Sequence, residues 1–428
     1  MTTPRLLVIM GSGETAPTMK VPHRTVFERL GDAASAVMLD TPFGFQENAP
    51  TLAATTTKYF KDAVGRDVAV AGLARTDTGD VVAVESGIAR VRAADWVFAG
   101  PGSPTFALRQ WRGTALPDVL AEKLRTGGAV VFSSAAALTL GVATVPVYEV
   151  YKVGMEPWWE PGLDLLAPIG INAAVIPHFD NAEGGNHDTR FCYLGERRLA
   201  MLEPQLPDGA FVVGLDEHTG VIMDLDRDVA EIVGKGALTL RRDGRSVRID
   251  AGATIPIDVI RSGGAEVSGP SASAPDVVQA RHESTVDETV ERADASGNDD
   301  SLEAATARHE AAFDAALDAG DAKAAVEAVL LLDAAIVEWS ADTLQSDQVD
   351  RARTALRSMI VRLGDAATVG LRDERDVLGP VVEAALDARR VARDERAFAV
   401  ADSLREGLDA AGIEVRDTPD GVEWLVKQ

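Results

Sequence analysis

The stretch "GGAVVFSSAAALTLG", residues 127–141, decides the fold of the first half of the chain. A continuous apolar run at 129–132 is followed by small residues around Ser134 and then by helix formers. A short apolar run bounded by glycine is typical of a parallel strand that is covered on both faces. The small side chains that follow allow a strand and a helix to approach closely. The stretch therefore predicts a buried strand, a sharp turn and a helix.

The same alternation of strand and helix runs through residues 1–262. Helical segments such as 103–113 and 115–127 separate the apolar runs, which predicts an α/β domain with a doubly wound, mostly parallel sheet. Beyond residue 220, short alternating runs around the turn "RDGR", 242–245, predict an antiparallel extension. The predicted strands are "RLLVIM", "AASAVMLD", "DVAVAGL", "ADWVFAGPG", "GAVVFSS", "AAVIPHF" and "GAFVVGLD".

The rest of the chain divides into two parts of different composition. Residues 263–300 are rich in Ser, Gly, Ala and acids and lack aromatic residues, so they are predicted to be an acidic flexible linker. Residues 301–428 have helical spacing, with Gly320, Gly364 and Gly412 at predicted helix ends, and indicate an all-α bundle. A small hairpin is predicted at the C-terminus, with its turn at 419–421.

Composition limits the classes of function. The chain has 428 residues and a net charge of −25, which disfavours non-specific binding of nucleic acid. No apolar run reaches the roughly 18 residues that span a bilayer, and the polar N-terminus does not resemble a secretory signal. The single Cys192 excludes an intramolecular disulfide and multi-cysteine zinc sites. We therefore expect a cytoplasmic protein without a membrane partner, metal or cofactor.

Three polar residues at predicted strand ends are candidates for catalysis. Ser134 lies in the strand-to-helix turn, His178 in "VIPHFDNAEGGNHDTRF", 175–191, and Glu217 in "VVGLDEHTGVIM", 212–223. A serine nucleophile needs a base, and the base needs an orienting carboxylate. Phe132 and Ala136, however, stand where the G-x-S-x-G elbow has glycines. Taken singly, each candidate also fits a structural role, as a packed turn, a hydrogen-bonded histidine or a solvated acid.

Two glycine-rich turns follow other strands. "MGSGETAP", 10–17, contains Gly11, Gly13 and Glu14, and "AGPGSPTF", 99–106, contains Gly100 and Gly102. Such turns can hold phosphate, but neither has the Walker lysine or a full G-x-G-x-x-G, so no nucleotide cofactor is predicted. A backbone N–H near Gly102 could instead stabilise an oxyanion.

Residues 1–260 resemble the peptidase E and cyanophycinase family of serine peptidases, in the motifs "MGSGE", "AGPGSPTFALRQW", "SSAAA", "PHFDNAEGGNHDTR" and "GLDEHTGVIMD". The resemblance implies the class I glutamine amidotransferase-like fold. It also implies Ser134 as nucleophile, His178 as general base and Glu217 as its orienting acid, with acidic dipeptides or β-linked aspartyl-arginine as the substrates of the family. The remaining implied roles are oxyanion donors and substrate contacts, namely Gly102 and Ala135 for the oxyanion, and Asn181, His187 and Arg190 for substrate. Arg190 fits a substrate carboxylate and a structural ion pair equally.

Residues 302–428 resemble the C-terminal, anticodon-binding part of cysteinyl-tRNA synthetases, most clearly in "ARRVARDERAFAVADSLREGL" and "AGIEVRDTPDGVEW". No signature of the synthetase catalytic domain is present in the sequence. The resemblance implies contact with tRNA, yet residues from 301 onward carry 15 Lys and Arg against 26 Asp and Glu, a net charge of −11. The alternative is a helical scaffold for protein contacts. The basic stripe that could contact tRNA consists of Arg389, Arg390, Arg393 and Arg396.

The sequence thus leaves two functions open. The first is a serine hydrolase that acts on a small peptide, isopeptide or related amide through an acyl-enzyme and is linked to tRNA by its C-terminal part. The second is a catalytically inactive protein of the same fold that binds tRNA, a small ligand or a protein partner, and Phe132 favours it. A hydrogen bond between Ser134 and His178 would favour the enzyme. A homo-oligomer is compatible with both.

Overall fold

A computed structural model describes residues 3–184, 187–265, 301–340, 348–370, 374–418 and 421–426. The described residues form two compact units. One consists of residues up to 302 together with those of 334–349, and the other of residues 303–333 and 350 onward. Residues 266–300 of the predicted linker lie outside the described residues.

The N-terminal part alternates strands and helices as the sequence predicts. Its strands are β1 Arg5–Met10, β2 Ala36–Leu39, β3 Ala69–Val70, β4 Trp96–Ala99, β5 Gly128–Ser133, β6 Ala143–Thr144, β7 Glu160–Pro161, β8 Ala173–Ile176, β9 Phe211–Leu215, β10 Thr219–Asp224, β11 Val229–Gly234, β12 Ala237–Arg242, β13 Arg245–Asp250 and β14 Thr254–Pro256. Its helices are α1 Lys20–Leu30, α2 Ala49–Tyr59, α3 Val81–Ala93, α4 Pro104–Trp111, α5 Leu116–Thr126, α6 Ser134–Leu138, α7 Val147–Tyr151, α8 Gly195–Leu202 and α9 Ile257–Arg261.

The main sheet has eight strands in the order β14-β11-β10-β1-β5-β4-β2-β3. The five strands from β1 to β3 in this order are parallel, and β10, β11 and β14 add antiparallel strands at the other edge. This arrangement confirms the α/β class, the mostly parallel centre and the antiparallel extension.

Strand β1 shows why the central strands are continuous apolar runs. Leu7 and Ile9 belong to one hydrophobic cluster, whereas Leu6, Val8 and Met10 belong to another. Successive side chains of a strand point to opposite faces, so both faces of the sheet are covered. Burial of each such side chain contributes about 1.5–3 kcal/mol of transfer free energy.

A second sheet of four strands has the order β13-β12-β9-β8. Its strands β8 and β9 are parallel to each other and precede the segments with His178 and Glu217. Ser134 follows β5 of the main sheet, so the three candidate residues follow strands of two different sheets. The apolar runs of β8 and β9 are buried like those of the main sheet, and composition does not distinguish the two sheets.

The C-terminal part is helical and ends in a hairpin, as predicted. Val382, Ile413 and Trp424 form a small buried cluster between a helix and the hairpin. Gly320 and Gly412 have positive φ angles of 69° and 82° beyond helix ends, whereas Gly364 lies inside a helix. The predicted helix end at Gly364 is thus wrong, since a helix tolerates an interior glycine at a cost of about 1 kcal/mol.

The elements of this part are α10 Leu302–Asp318, α11 Ala322–Trp339, α12 Gln348–Gly370, α13 Glu374–Asp394, α14 Phe398–Ala410, β15 Ile413–Thr418 and β16 Gly421–Val426. Residues 419 and 420 of the predicted hairpin turn lie outside the described residues. Among the helices that the structure describes, none combines the length and the apolar character that crossing a membrane requires.

Candidate active site

Ser134 begins helix α6 directly after strand β5, with a φ angle of 50°. A positive φ is uncommon for a residue other than glycine, and such strained residues cluster at functional sites. The backbone N–H of Ala136 donates to the carbonyl oxygen of Gly100 at 3.2 Å, which ties the turn to the end of β4. The turn predicted from residues 127–141 is therefore formed, and its central residue is the half-buried Ser134.

Phe132 does not occupy the space around the serine. Its side chain is fully buried in the hydrophobic cluster beneath the sheet, with its ring 5.8 Å from the ring of Trp111. Phe132 therefore points toward the side of the sheet on which α4 and its Trp111 pack. The replacement of an elbow glycine by Phe132 thus leaves the serine accessible to its base.

The three candidate catalytic residues are joined by hydrogen bonds. Ser134 Oγ lies 2.9 Å from His178 Nε2, and His178 Nδ1 lies 2.9 Å from Glu217 Oε1. A carboxylate only accepts hydrogen bonds, so in the neutral imidazole the proton is on Nδ1 and Nε2 is free to accept from the serine hydroxyl. This protonation state suits a general base that removes the proton of Ser134.

The histidine is held by a second strained segment. His178 has a φ angle of 48°, and Phe191, Cys192 and Tyr193 have φ angles of 61°, 54° and 67°. The N–H of Cys192 donates to the carbonyl oxygen of His178 at 3.1 Å, so this left-handed turn fixes the backbone of the histidine. The ring of Tyr193 lies 6.5 Å from the imidazole ring.

Electrostatics keep Glu217 ionised. Burial raises the pKa of Glu217, but the hydrogen bonds from His178 and Asn181 and the electrostatic interactions with His178 and His218 together lower it by more, so the net pKa lies below the usual value. The neighbouring Asp180 accepts a hydrogen bond from the N–H of Glu217 at 2.7 Å. Burial and the charges of nearby carboxylates raise the pKa of Asp180 to about 6. The site therefore combines one acid with a lowered pKa and one with a pKa raised to about 6.

The predicted oxyanion donors lie on two adjacent turns. Gly102 has a φ angle of 143°, and a Cβ at this position would lie 2.0 Å from the carbonyl oxygen of Pro42, so only glycine fits. Ala135 is in the first turn of α6, where backbone N–H groups have no partner within the helix.

Among the predicted substrate contacts, Asn181 is hydrogen-bonded to other groups of the protein. Its side chain is fully buried; Nδ2 donates to Glu217 Oε1 at 3.1 Å, and Oδ1 accepts from the N–H of Glu183 at 3.3 Å. Both ends of the amide are thus used inside the protein, and the binding of substrate by Asn181 stays a prediction.

Arg190 and His187 are both exposed. Arg190 donates from Nε and Nη2 to the two carboxylate oxygens of Asp188, each at 2.9 Å. The hydrogen bonds from this guanidinium hold the pKa of Asp188 below its usual range. Of the two roles open for Arg190 in the sequence, the structure thus contains the ion pair.

Sequence reasoning missed contacts that surround the triad. Ser133 Oγ donates to Glu14 Oε2 at 2.7 Å, and both side chains are buried. Asp180 and Tyr193 also escaped notice. The glycines of "MGSGE" drew attention to the turn that contains Glu14, but no spacing rule links Glu14 to a residue 119 positions away.

The four arginines of the C-terminal stripe are not equivalent. Arg389 is buried, with 5% of its surface exposed, which disfavours the predicted contact of this residue with tRNA. Arg390 is exposed. Its Nε lies 3.6 Å from Asp387 Oδ1, and its Nη1 lies 3.8 Å from Asp394 Oδ2. Arg393 and Arg396 are exposed as well.

Residues 375–424 match the family model described as the cysteinyl-tRNA ligase anticodon binding domain. The cysteine–tRNA ligase of Arthrobacter sp. (strain FB24) is 41% identical over 83 residues, which cover 18% of this chain and 17% of that protein. The ligase of Deinococcus radiodurans is 39% identical over 85 residues, which again cover 18% of this chain and 17% of that protein. The chain thus spans less than a fifth of the length of these relatives. The resemblance predicted for the C-terminal end is confirmed.

The N-terminal part is similar to solved structures of peptidases. A peptidase from an acI-B1 Actinobacterium has a TM-score of 0.49 and 19% identity, and the match covers 60% of this chain and 98% of that one. A putative peptidase E protein from Listeria monocytogenes EGD-e has a TM-score of 0.36 and 11% identity, and the match covers 54% of this chain and 98% of that one. At these scores and identities, the chemistry of this part has to be inferred from its own residues.

Proposed function

We propose that the N-terminal part is a serine hydrolase that cleaves a small peptide, isopeptide or related amide through an acyl-enzyme. The observation that carries this proposal is the pair of 2.9 Å contacts from Ser134 to His178 and from His178 to Glu217. Nucleophile, base and orienting acid are thereby within hydrogen-bond reach of one another, which is the geometry that activates a serine.

The reaction proceeds in two halves. In the first, His178 Nε2 takes the proton of Ser134 as the serine oxygen bonds to the substrate carbonyl carbon, and Glu217 stabilises the resulting imidazolium. The backbone N–H groups of Gly102 and Ala135 stabilise the oxyanion. The C–N bond then breaks, and His178 gives its proton to the leaving amine. In the second half a water molecule replaces the amine and releases the acid.

The substrate class follows from the resemblance to peptidase E and cyanophycinase, whose substrates are acidic dipeptides and β-linked aspartyl-arginine. Asp188 forms an ion pair with Arg190, so a substrate carboxylate would have to compete with that ion pair. A small peptide or isopeptide remains the proposed substrate, and a tRNA-linked amide is the variant that the C-terminal domain suggests. A tRNA partner and a single cysteine fit a cytoplasmic protein.

The experiment that tests the hydrolase is labelling with a fluorophosphonate, followed by intact-mass measurement. The oxygen of Ser134 would bond to phosphorus as the P–F bond breaks, while His178 takes the serine proton. We expect one adduct on the native chain and none on Ser134→Ala. Ser246→Ala, an exposed serine on β13, is the matched control and should be labelled like the native chain. Absence of an adduct on the native chain would favour the inactive binding protein.

The match to an anticodon-binding domain supports a second proposal, that residues 375–424 bind tRNA. Arg390, Arg393 and Arg396 are exposed cations of this segment that a phosphate could reach, and Arg390 lies near two aspartates. The net charge of −11 from residue 301 onward opposes this binding, so we expect a weak and strongly salt-dependent complex.

Fluorescence anisotropy with a labelled cysteine-accepting tRNA tests this second proposal. Arg393→Glu with Arg396→Glu should weaken binding and reduce the slope of log K against log salt by about 1 for each lost phosphate contact. Arg353→Glu with Arg357→Glu, a pair of exposed arginines on α12, is the control. Equal losses in both double variants would contradict a specific site and indicate a general effect of charge.

A further inference from the structure

We infer that the turn "MGSGE", residues 10–14, is a positioning element for the catalytic triad and that Glu14 is the residue through which it holds the nucleophile. The inference rests on the proposed hydrolase function. Glu14 accepts a hydrogen bond from Ser133, the residue before Ser134, and acts on Ser134 through this contact. The same turn also supports the segment that contains Glu217, so it braces both ends of the triad.

The contact between Glu14 and Ser133 lies in the interior of the protein. Glu14 is 1% exposed and Ser133 is fully buried, and the hydroxyl of Ser133 donates to Glu14 Oε2 at 2.7 Å. A hydrogen bond to a carboxylate is stronger than one between neutral groups, and in a dry site water cannot compete for it. This bond therefore fixes the end of β5 at the point where the chain turns into α6.

The position of Ser133 matters because the next residue is strained. Ser133 has extended backbone angles, φ −126° and ψ 152°, and Ser134 follows with a φ of 50°. The peptide between them sets the direction of the nucleophilic oxygen toward His178. A fixed Ser133 side chain restrains the rotation of this peptide, so the strained conformation of Ser134 persists without substrate.

Glu14 also borders the turn that supplies an oxyanion donor. A Cβ built on Gly100 would lie 3.6 Å from Glu14 Oε1, and the carbonyl oxygen of Gly100 accepts from the N–H of Ala136. The turns after β1, β4 and β5 thus meet around one carboxylate. The backbone of Glu14 is fixed in turn, since His23 Nε2 donates to its carbonyl oxygen at 2.8 Å.

The glycines of the turn make room for the acid segment. A Cβ on Gly13 would lie 2.2 Å from Nδ1 of His218, and one on Gly11 would lie 2.1 Å from the carbonyl oxygen of Asp216. Asp216 and His218 flank Glu217 on both sides. Side chains at these two glycines would therefore displace the residue that orients the catalytic histidine.

The test compares the rate of fluorophosphonate labelling among variants. Glu14→Ala should lower the maximal labelling rate about 10²-fold with little change in probe affinity, because a displacement of about 1 Å has an effect of that size. Glu14→Gln keeps an oxygen that can accept from Ser133 and should restore most of the rate. Ser133→Ala should resemble Glu14→Ala, and the double variant should lose little more, since the two residues act through one bond.

Gly13→Ala should also slow labelling, whereas Gly244→Ala is the matched control. Gly244 has a similar positive φ, 73° against 65° at Gly13, but nothing lies within 4 Å of a Cβ there. Both substitutions impose the same backbone strain, so a loss of labelling confined to Gly13→Ala would come from the contact with His218.

Several results would overturn the inference. Labelling of Glu14→Ala at the native rate would do so, as would a Glu14→Gln variant as slow as Glu14→Ala, or additive losses in the double variant. A crystal structure of Glu14→Ala gives a readout that does not depend on labelling, because the distance from Ser134 Oγ to His178 Nε2 should exceed the native 2.9 Å. An unchanged distance would contradict the inference, whereas a native chain that resists the probe would count against the hydrolase.

Discussion

Phe132 packs against Trp111 in the core of the sheet, with ring centroids 5.8 Å apart, although it stands only two residues before the candidate nucleophile. The end of β5 at Ser133 explains this separation, because the backbone turns at Ser134, with a φ angle of 50°, and the strand does not continue through the serine. Phe132 faces the helix α4 that carries Trp111, whereas Ser134 begins the next element and faces His178. Phe132, which in the sequence favoured an inactive protein, is thus a core residue, and it contributes to the stability of the fold.

Replacement of Phe132 by alanine should destabilise the protein without removing the nucleophile. Loss of a fully buried phenylalanine typically costs about 3–5 kcal/mol of unfolding free energy, because a cavity remains. Urea unfolding of Phe132→Ala measures this loss, and fluorophosphonate labelling at low temperature measures the nucleophile. Phe45→Ala, at a side chain 43% exposed, is the control and should change the stability far less. Faster labelling of the Phe132 variant would contradict our interpretation.

The orienting acid should matter more than the residue that holds it. Glu217→Gln removes the charge that stabilises the imidazolium and favours the wrong tautomer of His178; in serine proteases the corresponding change costs about 10⁴-fold in kcat, a known example and not a value obtained for this protein. Asn181→Ala leaves the carboxylate in place but removes its 3.1 Å hydrogen bond, and we expect a loss of about 10-fold. The rate of fluorophosphonate labelling at a fixed pH measures the loss in each of the two variants. Equal losses in the two variants would make Asn181 as important as the acid itself.

Arg190→Ala should not change the ratio of KM for dipeptides with an acidic first residue to KM for those with a neutral one. The guanidinium is bound to Asp188 at two points and is exposed to solvent, and exposed ion pairs contribute about 0–1 kcal/mol to stability. Comparison of KM for dipeptides with acidic and neutral first residues tests this expectation. Asp188→Ala is the matched variant, because it frees the guanidinium. A rise in KM for acidic dipeptides alone in Arg190→Ala would show that substrate displaces Asp188.

The sequence allowed much of the first unit to be predicted, for physical reasons. Parallel strands buried on both faces produce apolar runs, and the nucleophile turn requires small residues, so β5 and the turn at Ser134 could be recognised locally. The membership of β8 and β9 in a second sheet could not be predicted, since pairing partners are distant in the chain. The position of Gly364 inside a helix could not be predicted from neighbouring residues either, because the free energy that stabilises a long helix exceeds the cost of one interior glycine.

The main residues of the candidate site could be proposed from the sequence, whereas the buried residues that hold them could not. Ser134, His178 and Glu217 each follow a strand, and the resemblance to a peptidase family gave their order. Asn181 and Glu14 are buried polar residues that bind other protein groups, and nothing in their neighbours along the chain indicates which groups these are. Such side chains become recognisable only when tertiary contacts show which buried hydrogen bonds they satisfy.

Acid should destabilise the first unit through His23. This histidine is fully buried, donates to the carbonyl oxygen of Glu14, and burial lowers its pKa to about 4. The unfolded chain binds the proton near pH 6.5, whereas the folded chain binds it near pH 4, so stability is greatest above pH 6.5 and falls as the pH drops toward 4. The shift corresponds to a loss of about 3 kcal/mol at most over that window.

Urea unfolding at pH 7 and at pH 4.5 measures this loss in the native chain and in His23→Gln, which does not titrate. The variant should be less stable at pH 7, because a glutamine fits the aromatic surroundings of Phe60 and Trp96 poorly, but its stability should fall less between the two pH values. His187→Gln, at an exposed histidine, is the control and should follow the native chain. An equal pH dependence in the native chain and His23→Gln would show that the buried imidazole does not drive acid unfolding.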